Sequence, residues 1–238
     1  MMELRNCTKH YPQGRRTVQA LNGVNVAIPT GEFVSIMGPS GSGKSTLMHL
    51  LGALDTPTTG DVFFHDRSLG KMADAELAEL RRTRIGFIFQ FFNLLPTLTA
   101  VENVALPLLL ARQSRGQAMP PARAGLDRVG LSHRADHYPD EMSGGEMQRV
   151  AIARALVVEP EAVLCDEPTG NLDSQTSAEI LKLLRSLPEP GKRAVVMVTH
   201  DPEAARYGDR IIHIRDGLVE REERLGESHP NTSIRATG

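Results

Sequence analysis

The sequence predicts an α/β fold built around a mainly parallel β-sheet. Short apolar runs rich in β-branched residues recur along the chain, and several are unbroken, as expected for strands covered on both faces. Segments with helical composition and apolar residues at three- and four-residue spacing alternate with these runs. This alternation is typical of a parallel sheet with helices packed on its faces. The predicted strands span residues 24–28, 33–37, 62–64, 85–89, 162–165, 194–198 and 211–214, and the predicted helices span residues 46–54, 146–157 and 174–187.

The middle of the chain departs from this alternation. Between about residues 93 and 141 the strand signal is weak, and five prolines separate short helical pieces. We therefore expect a helical insert on the α/β core. The domain is expected to span residues 1–222, whereas residues 223–238 are polar and are predicted to form a disordered tail.

Composition narrows the functional classes. The 238 residues are 40% hydrophobic, so a substantial core can form, and the formal charge of −2 argues against nucleic acid as a bulk electrostatic partner. The two cysteines lie far apart without metal-ligand spacing, which favours structural roles in a reducing compartment. The N-terminus lacks the apolar core of a signal peptide, and the longest apolar run is shorter than the ~18 to 20 residues that span a bilayer. We expect a soluble chain that would need another protein as its membrane part.

Residues 38–46, with the sequence GPSGSGKST, match the phosphate-binding loop pattern and lie between the apolar strand FVSIM and a helical segment. Glycines allow backbone N–H groups to curl around phosphate oxygens, Lys44 brings a cation to the β- and γ-phosphates, and the Ser45 hydroxyl can ligate Mg2+. The sequence therefore predicts a nucleotide site. Its candidate ligands are Gly38, Pro39, Ser40, Gly41, Ser42, Gly43, Lys44, Ser45 and Thr46.

A pair of carboxylates follows the apolar run at residues 162–165. Asp166 ends that strand, at the edge of an α/β sheet that faces the ligand, and can hold Mg2+. Glu167 comes next and is suited to orient and activate water against the γ-phosphate. His200 follows the strand AVVMVT in the same way, and is a candidate for positioning that water. These three side chains form the candidate hydrolytic centre.

A second candidate anion site lies about a hundred residues after the phosphate loop. The stretch MSGGE places Ser143, Gly144 and Gly145 at the start of a predicted helix, where free N–H groups and the helix dipole attract an anion. One nucleotide does not obviously need two such corners. The pattern therefore raises the question of which phosphate the second corner would bind.

Six motifs, taken in their order along the chain, resemble those of the ATP-binding subunit of ABC transporters. The resemblance covers nearly the whole chain, to about residue 222. The resemblance implies a P-loop NTPase (RecA-like) core with a mainly parallel sheet, a small antiparallel β-subdomain and a helical insert. It also implies ATP and Mg2+ as cofactors and an ATPase activity coupled to transport. The six motifs are the phosphate loop at residues 38–46, Gln90 after IGFIF, MSGGE at 142–146, LCDE at 164–167, NLDS at 171–174, and His200.

The resemblance also answers the question of the second corner. Two ATP-binding subunits of this family dimerise head to tail, and here we expect two copies of the same chain. The resemblance implies that Ser143, Gly144 and Gly145 bind the γ-phosphate of the ATP held by the partner. ATP would then hold the dimer together until hydrolysis releases it.

Further roles follow only from the resemblance. It implies that Gln90 meets Mg2+ or the attacking water, that Asp173 makes a contact across the dimer, and that Tyr11 stacks on the adenine. Two residues depart from the common family pattern, because Met142 and Glu146 stand where Leu and Gln are more usual. The charge of Glu146 would matter if it pointed towards the phosphates.

Residues 85–111, together with CDEPTGNLDS, resemble the lipoprotein-releasing and macrolide-export class of ABC transporters. This class implies export, or extraction of a lipoprotein or other amphiphile from the cytoplasmic membrane, through a separate integral membrane permease. The apolar stretch from Phe91 to Leu98 follows Gln90 directly and is predicted to line the docking groove for that permease. The subunit would then lie peripherally on the cytoplasmic face of the cell membrane.

Two alternatives stay open. A cell-division-type ABC ATPase would signal across the membrane without transport, and the sequence separates this reading poorly. A soluble, non-transport ABC ATPase would usually carry a coiled coil, a zinc insert or a second ATPase domain, and none is visible. A P-loop kinase of small molecules would not need the MSGGE corner. The cargo cannot be deduced from this chain, because specificity belongs to the membrane partner.

Overall fold

The computed structural model describes residues 2–14 and 16–226, which form two β-sheets and seven α-helices. The strands are β1 Met2–Gln13, β2 Arg16–Ile28, β3 Phe33–Met37, β4 Thr59–Phe64, β5 Arg67–Ser68, β6 Ile85–Phe89, β7 Ala162–Asp166, β8 Ala194–Thr199, β9 Arg210–Arg215 and β10 Leu218–Arg224. The helices are α1 Lys44–Leu51, α2 Asp74–Thr83, α3 Ala100–Leu110, α4 Arg115–Arg128, α5 Gly144–Leu156, α6 Ser174–Arg185 and α7 Pro202–Ala205.

The larger sheet has six strands in the order β10-β9-β3-β8-β7-β6. Strand β3 pairs in parallel with β8 and β9, and β7 pairs in parallel with β6 and β8, whereas β10 is antiparallel to β9. The predicted α/β fold with a mainly parallel sheet is therefore confirmed. Because the parallel strands share a direction, the segments that follow β3, β6, β7 and β8 emerge at one edge of the sheet.

Alternate side chains of the larger sheet enter two different cores. Val163 and Cys165 of β7 pack with α3, α4, α5 and α6, whereas Leu164 between them packs with α1 and the smaller sheet. Helix α1 buries Leu47 in the second core, and α5 buries Ile152 in the first. The period of two in the strands therefore places α1 and α5 on opposite faces of the sheet.

The smaller sheet is antiparallel, with strand order β2-β1-β4-β5, so the β-subdomain implied by the family resemblance is confirmed. Strand β1 was not predicted. Its pairing with β2 shifts register between Leu4 and Cys7 and again before Lys9. These shifts break the alternation of buried and exposed residues, and that alternation is the signal on which a strand prediction depends.

Between β6 and α5 the described chain contains helices and turns but no strand, and two helices run through prolines that we expected to separate them. Helix α3 contains Pro107, and α4 contains Pro120 and Pro121. Each proline removes one backbone hydrogen bond, so the burial of apolar residues on these helices must outweigh a loss of about 3 kcal/mol per proline. Side chains such as Val104 of α3 and Leu126 of α4 are fully buried.

One predicted boundary is corrected, and one helix is added. Strand β10 extends to Arg224, two residues into the predicted tail, because it pairs with β9 through Arg210. The exposed, polar pattern of β10 hides this edge strand from a search for apolar runs. The remainder of the predicted tail, residues 227–238, lies outside the described residues. Helix α2 was also missed, because Leu80 is its only buried residue.

Close packing of β6 against α5 generates a stability prediction. A Cβ added to Gly86 would lie 2.6 Å from the carbonyl oxygen of Ala155, and a backbone atom in a packed core cannot easily yield. We expect Gly86→Ala to lower the free energy of unfolding by about 1 to 3 kcal/mol in denaturant titrations. Gly116→Ala is the matched control, since a Cβ there meets nothing within 4 Å. Equal stability of the two variants would contradict this account of the contact.

Candidate nucleotide-hydrolysis site

The phosphate loop connects β3 to the N-terminus of α1, as predicted, and glycine is required at two of its positions. A Cβ on Gly38 would lie 2.1 Å from the Ile214 carbonyl oxygen. Gly43 precedes α1 with a φ of +104°, and a Cβ there would lie 2.4 Å from the Ala20 carbonyl oxygen. The backbone therefore runs where no side chain fits, which leaves its N–H groups close to any bound anion.

Lys44 and Ser42 provide polar groups inside this loop. The Lys44 side chain is buried, and its ammonium donates to the carbonyl oxygens of Gly38 and Pro39 at 2.9 Å each. The buried Ser42 hydroxyl has no hydrogen-bond partner among the residues that the structure describes. A buried cation and a buried unpaired hydroxyl on one glycine-rich turn fit a phosphate group, which supplies acceptors for both.

The remaining loop residues lie around these groups. Pro39, Ser40 and Gly41 are at the tip, where Ser40 and Gly41 are exposed, and Thr46 lies in the first turn of α1. Tyr11 of β1 lies beside this turn, since its hydroxyl interacts with Thr46. That hydroxyl also donates to the Asp55 carboxylate at 2.8 Å. The stacking of Tyr11 on adenine stays a prediction.

Asp166 ends β7 near Ser45. Burial raises the pKa of Asp166 above its ordinary value, although His49, Lys44 and the Ser45 hydroxyl nearby favour the ionised form. A carboxylate and a hydroxyl are the kind of oxygen ligands that Mg2+ prefers. The donor set therefore fits the predicted metal.

Glu167 and His200 follow the neighbouring strands β7 and β8. The Glu167 carboxylate oxygen Oε1 lies 3.0 Å from His200 Nδ1, so the two candidate hydrolytic side chains are in hydrogen-bond contact. Glu167 has a φ of +45°, which is uncommon for a residue with a side chain, and its backbone N–H donates to the Val198 carbonyl at 2.9 Å. Such local strain at the end of a strand is typical of functional sites.

Gln90 follows β6 and is fixed by a residue that the sequence reasoning did not select. Its amide donates to the Asn171 side-chain oxygen at 3.3 Å, and the Asn171 amide donates to the Gln90 carbonyl at 3.1 Å. A Cβ on Gly170 would lie 2.8 Å from Gln90 Nε2. The NLDS motif therefore begins with the residue that holds Gln90 at the carboxyl edge of the sheet.

The MSGGE corner forms the N-terminus of α5, as predicted. Ser143 is the N-cap, and Gly145 is required because a Cβ there would lie 2.5 Å from Thr176 Cγ2 of α6. A Cβ added to Gly144 would lie 3.3 Å from Leu172 Cδ2 and 3.7 Å from Phe92 Cζ. Glu146 turns back to Ser143, whose backbone N–H holds the pKa of the Glu146 carboxyl below its ordinary value.

Asp173 acts as a helix cap in the single chain. Its carboxylate accepts hydrogen bonds from the Thr176 backbone N–H at 3.0 Å and from the Thr176 hydroxyl at 2.6 Å. These bonds lower the pKa of Asp173. The contact across a dimer that the resemblance implies for Asp173 stays a prediction.

The structure gathers most of the candidate residues but separates one group from the rest. The phosphate loop lies at α1, on one face of the larger sheet, whereas the Ser143 corner lies at α5, on the opposite face. Both helix N-termini lie at the edge of the sheet where the parallel strands end. Helix α1 begins there because it follows β3. Helix α5 begins there because it runs antiparallel to β7, the strand that follows it. The Ser143 corner is thus a candidate anion site separate from the phosphate loop of its own chain.

A phosphate loop after a buried strand, with paired carboxylates at the end of a parallel strand, defines the class of P-loop nucleoside triphosphatases. Residues 21–170 match the family described as ABC transporter, which is more than half of the chain. The chain therefore belongs to the ABC transporter family, as a subunit that binds and hydrolyses ATP. Among the described residues, no helix has the length and apolarity needed to cross a membrane.

Relatives support the class that the sequence resembles. The chain is 48% identical to the lipoprotein-releasing system ATP-binding protein LolD of Acinetobacter baylyi over 219 residues, covering 92% of this chain and 96% of LolD. It is 49% identical to the macrolide export ATP-binding/permease protein MacB of Chlorobaculum tepidum, covering 33% of that longer protein. A dimeric, post-hydrolysis structure of the cassette MJ0796 bound to ADP and Pi superposes with a TM-score of 0.87 at 48% identity, covering 94% of this chain and 99% of MJ0796.

The raised pKa of Asp166 predicts a conflict between stability and function. Because its folded-state pKa lies above the ordinary value, the folded chain binds this proton more tightly than the unfolded chain, and ionisation opposes folding at pH 7. We expect Asp166→Asn to raise the thermal midpoint of the nucleotide-free chain at pH 7. The difference should shrink as the pH falls towards 4, where wild-type Asp166 is increasingly protonated. Asp140→Asn serves as the control, because Asp140 is exposed. An unchanged or lower thermal midpoint in Asp166→Asn would contradict the raised pKa of Asp166.

Proposed function

We propose that two copies of this chain hydrolyse MgATP at their shared interface and drive a separate integral membrane permease. The coupled process would be export, or extraction of a lipoprotein or other amphiphile from the cytoplasmic membrane. One observation carries the proposal: the phosphate loop and the Ser143 corner are two candidate anion sites on opposite faces of one sheet. A head-to-tail dimer would let each nucleotide use one site from each chain. The dimeric state of the MJ0796 cassette supports this arrangement.

The metal would be held by Ser45 and Asp166, with Gln90 at its edge. When bound, Mg2+ neutralises developing charge on the phosphate oxygens. Lys44 binds the β- and γ-phosphates, and the loop N–H groups orient them. The Asn171 contact keeps Gln90 at the sheet edge, where it can respond to the γ-phosphate.

Hydrolysis requires a base for the attacking water. Glu167 is the candidate, because its carboxylate follows the metal ligand Asp166 directly and is oriented by the His200 ring. The His200 side chain, which forms the other half of this contact, is exposed, so it can position the water or the γ-phosphate. Once the γ-phosphate is released, the partner's Ser143 corner loses its ligand and the dimer can open.

The permease would dock beside Gln90. The groove there is lined only in part by the stretch that we expected to line it. Of the stretch from Phe91 to Leu98, Phe91 and Leu95 are the exposed large hydrophobic residues, whereas Phe92 and Leu94 turn towards the helical core. The neighbouring groove is apolar and carries arginines. Its lining includes Leu54, Phe87, Phe89, Leu106, Pro107, Leu110, Arg81, Arg82 and Arg154.

Arg154 connects this groove to the Ser143 corner. It lies on α5, and its guanidinium donates to the carbonyl oxygens of Phe92 and Asn93. Both of these residues have a positive φ, at 58° and 49°. A displacement of the docked segment would therefore pull on α5 and on the corner at its N-terminus. The chain would act from the cytoplasmic face of the membrane.

The role of Glu167 gives the first functional prediction. We expect Glu167→Gln to reduce ATP turnover at least about 100-fold, as for the loss of a general base, while ATP binding and ATP-dependent dimerisation persist. Phosphate release assays and sedimentation with ATP measure the two effects. Glu203→Gln is the control, since Glu203 is a nearby exposed carboxylate at the start of α7. Ordinary turnover in Glu167→Gln would remove Glu167 from this role.

The docking groove generates the second functional prediction. Affinity purification from native membranes, with the Glu167→Gln chain held by ATP, should recover a membrane protein of few spans. Adding Phe91→Ser or Leu110→Ser should weaken recovery by about 30-fold or more, as expected for an interface anchor. Leu218→Ser is the matched control, because Leu218 is 48% exposed but lies on β10, at the other edge of the sheet.

The identity of the recovered protein separates the remaining readings. A permease with a large external domain supports export or extraction, and a many-span permease moves the chain to another transporter class. An ATP-dependent dimer that recovers no membrane protein favours the non-transport ATPases. Recovery that is unaffected by Phe91→Ser and Leu110→Ser would reject the groove.

A further inference from the structure

The N-terminus of α5 carries a negative charge next to its candidate anion site. The Glu146 carboxylate oxygen Oε2 accepts hydrogen bonds from the Ser143 backbone N–H at 2.8 Å and from the Ser143 hydroxyl at 2.9 Å. The Ser143 hydroxyl accepts in turn from the Glu146 N–H at 3.3 Å. These reciprocal bonds form a capping box, which glutamine closes as well as glutamate. The cap therefore does not require the charge.

The charge opposes the proposed role of this corner. To bind a γ-phosphate, the Ser143 hydroxyl must donate its proton to a phosphate oxygen, but here it donates to Glu146. The carboxylate thus competes with the phosphate for one donor. It also places an anion at the helix N-terminus where a second anion must approach.

Arg134 offsets this charge. It belongs to the short turn Ser132–Arg134, outside α5, and its Nε donates to Glu146 Oε1 at 2.9 Å. The two carboxylate oxygens are therefore divided, with Oε1 on Arg134 and Oε2 on Ser143. The side chains of Arg134 and Glu146 are 35% and 22% exposed, so solvent screens the pair only in part.

We propose that Arg134 is a positioning residue of the shared nucleotide site, which neutralises Glu146 and so frees the Ser143 hydroxyl for the γ-phosphate held by the second copy. The inference rests on the proposed role of Ser143 and deepens it. On binding, the Ser143 hydroxyl turns from Glu146 Oε2 to the phosphate, while Arg134 remains on Oε1. No covalent bond forms or breaks in this step.

The test measures ATP-driven dimerisation in the Glu167→Gln background by sedimentation over a range of ATP concentrations. Arg134→Met should raise the ATP concentration for half-maximal dimer at least about tenfold, the effect of losing a charge-assisted hydrogen bond. Adding Glu146→Gln to Arg134→Met should restore the midpoint to within about twofold of the Glu146→Gln chain, because the carboxylate that Arg134 neutralised is gone. Arg134→Lys, which keeps the charge, should remain close to wild type.

Arg123→Met is the matched control. Arg123 forms an ion pair with Asp136 at the same 2.9 Å in the same helical region, without touching Ser143 or Glu146. Its midpoint should not change. If Arg134→Met unfolds at lower temperature than the control, Arg134→Gln replaces it, since this side chain can still hydrogen-bond to Glu146 but carries no charge. An unchanged midpoint in the variant used, or failure of Glu146→Gln to rescue it, overturns the proposal.

Ser143→Ala distinguishes this inference from the function on which it rests. If Ser143→Ala weakens the ATP-driven dimer while Arg134→Met does not, the shared site stands and the role of Arg134 is wrong. If Ser143→Ala leaves the dimer unchanged, the corner does not bind the partner's nucleotide and the proposed function fails at that point. Loss in both variants, with rescue only of Arg134→Met by Glu146→Gln, supports both.

Discussion

The register of four parallel strands is the constraint on which the rest of this molecule depends. Met37 pairs with Thr199, and Asp166 pairs with Val198 on one side and Phe89 on the other. Neighbouring strands lie about 4.8 Å apart, so the residues that follow them form a row at one edge. Along that edge the order is the phosphate loop, His200, Glu167 and Gln90. A slip of one residue in any strand would turn its side chains to the other core and break the row.

Hydrogen bonds from distant parts of the chain hold the strained residues at this edge. Glu167 is kept at a positive φ by its bond to the Val198 carbonyl, and Phe92 and Asn93 are kept there by the guanidinium of Arg154. Each such conformation costs on the order of 1 to 3 kcal/mol and persists only when its surroundings determine it. These bonds determine the backbone conformation at the edge, where the Glu167 carboxylate and the His200 ring are in contact.

The parts of the site that could be predicted from sequence are those that depend on neighbours along the chain. The phosphate loop needs only a strand, glycines and a helix start, and the buried strands β3 and β6 agree with the predicted ranges. Strand β1 and helix α2 were not predicted, because bulges in β1 and the polar surface of α2 remove the apolar periodicity. The roles of Asn171 and Arg154 were not predicted either, because each side chain hydrogen-bonds to a backbone carbonyl 61 to 81 residues away. No local pattern contains such a contact.

In the proposed dimer, the contacts of α5 would connect the docking groove to the nucleotide held by the second copy. In the C-terminal part of α5, Arg154 donates to the carbonyl oxygens of Phe92 and Asn93 beside the groove. These hydrogen bonds link the segment directly to α5. In the proposed dimer, a shift at the groove would then shift the Ser143 corner, with no need for a change in the parallel sheet. Because the sheet would keep its register, the row of candidate hydrolytic residues would stay intact while the Ser143 corner moved towards or away from the partner's nucleotide.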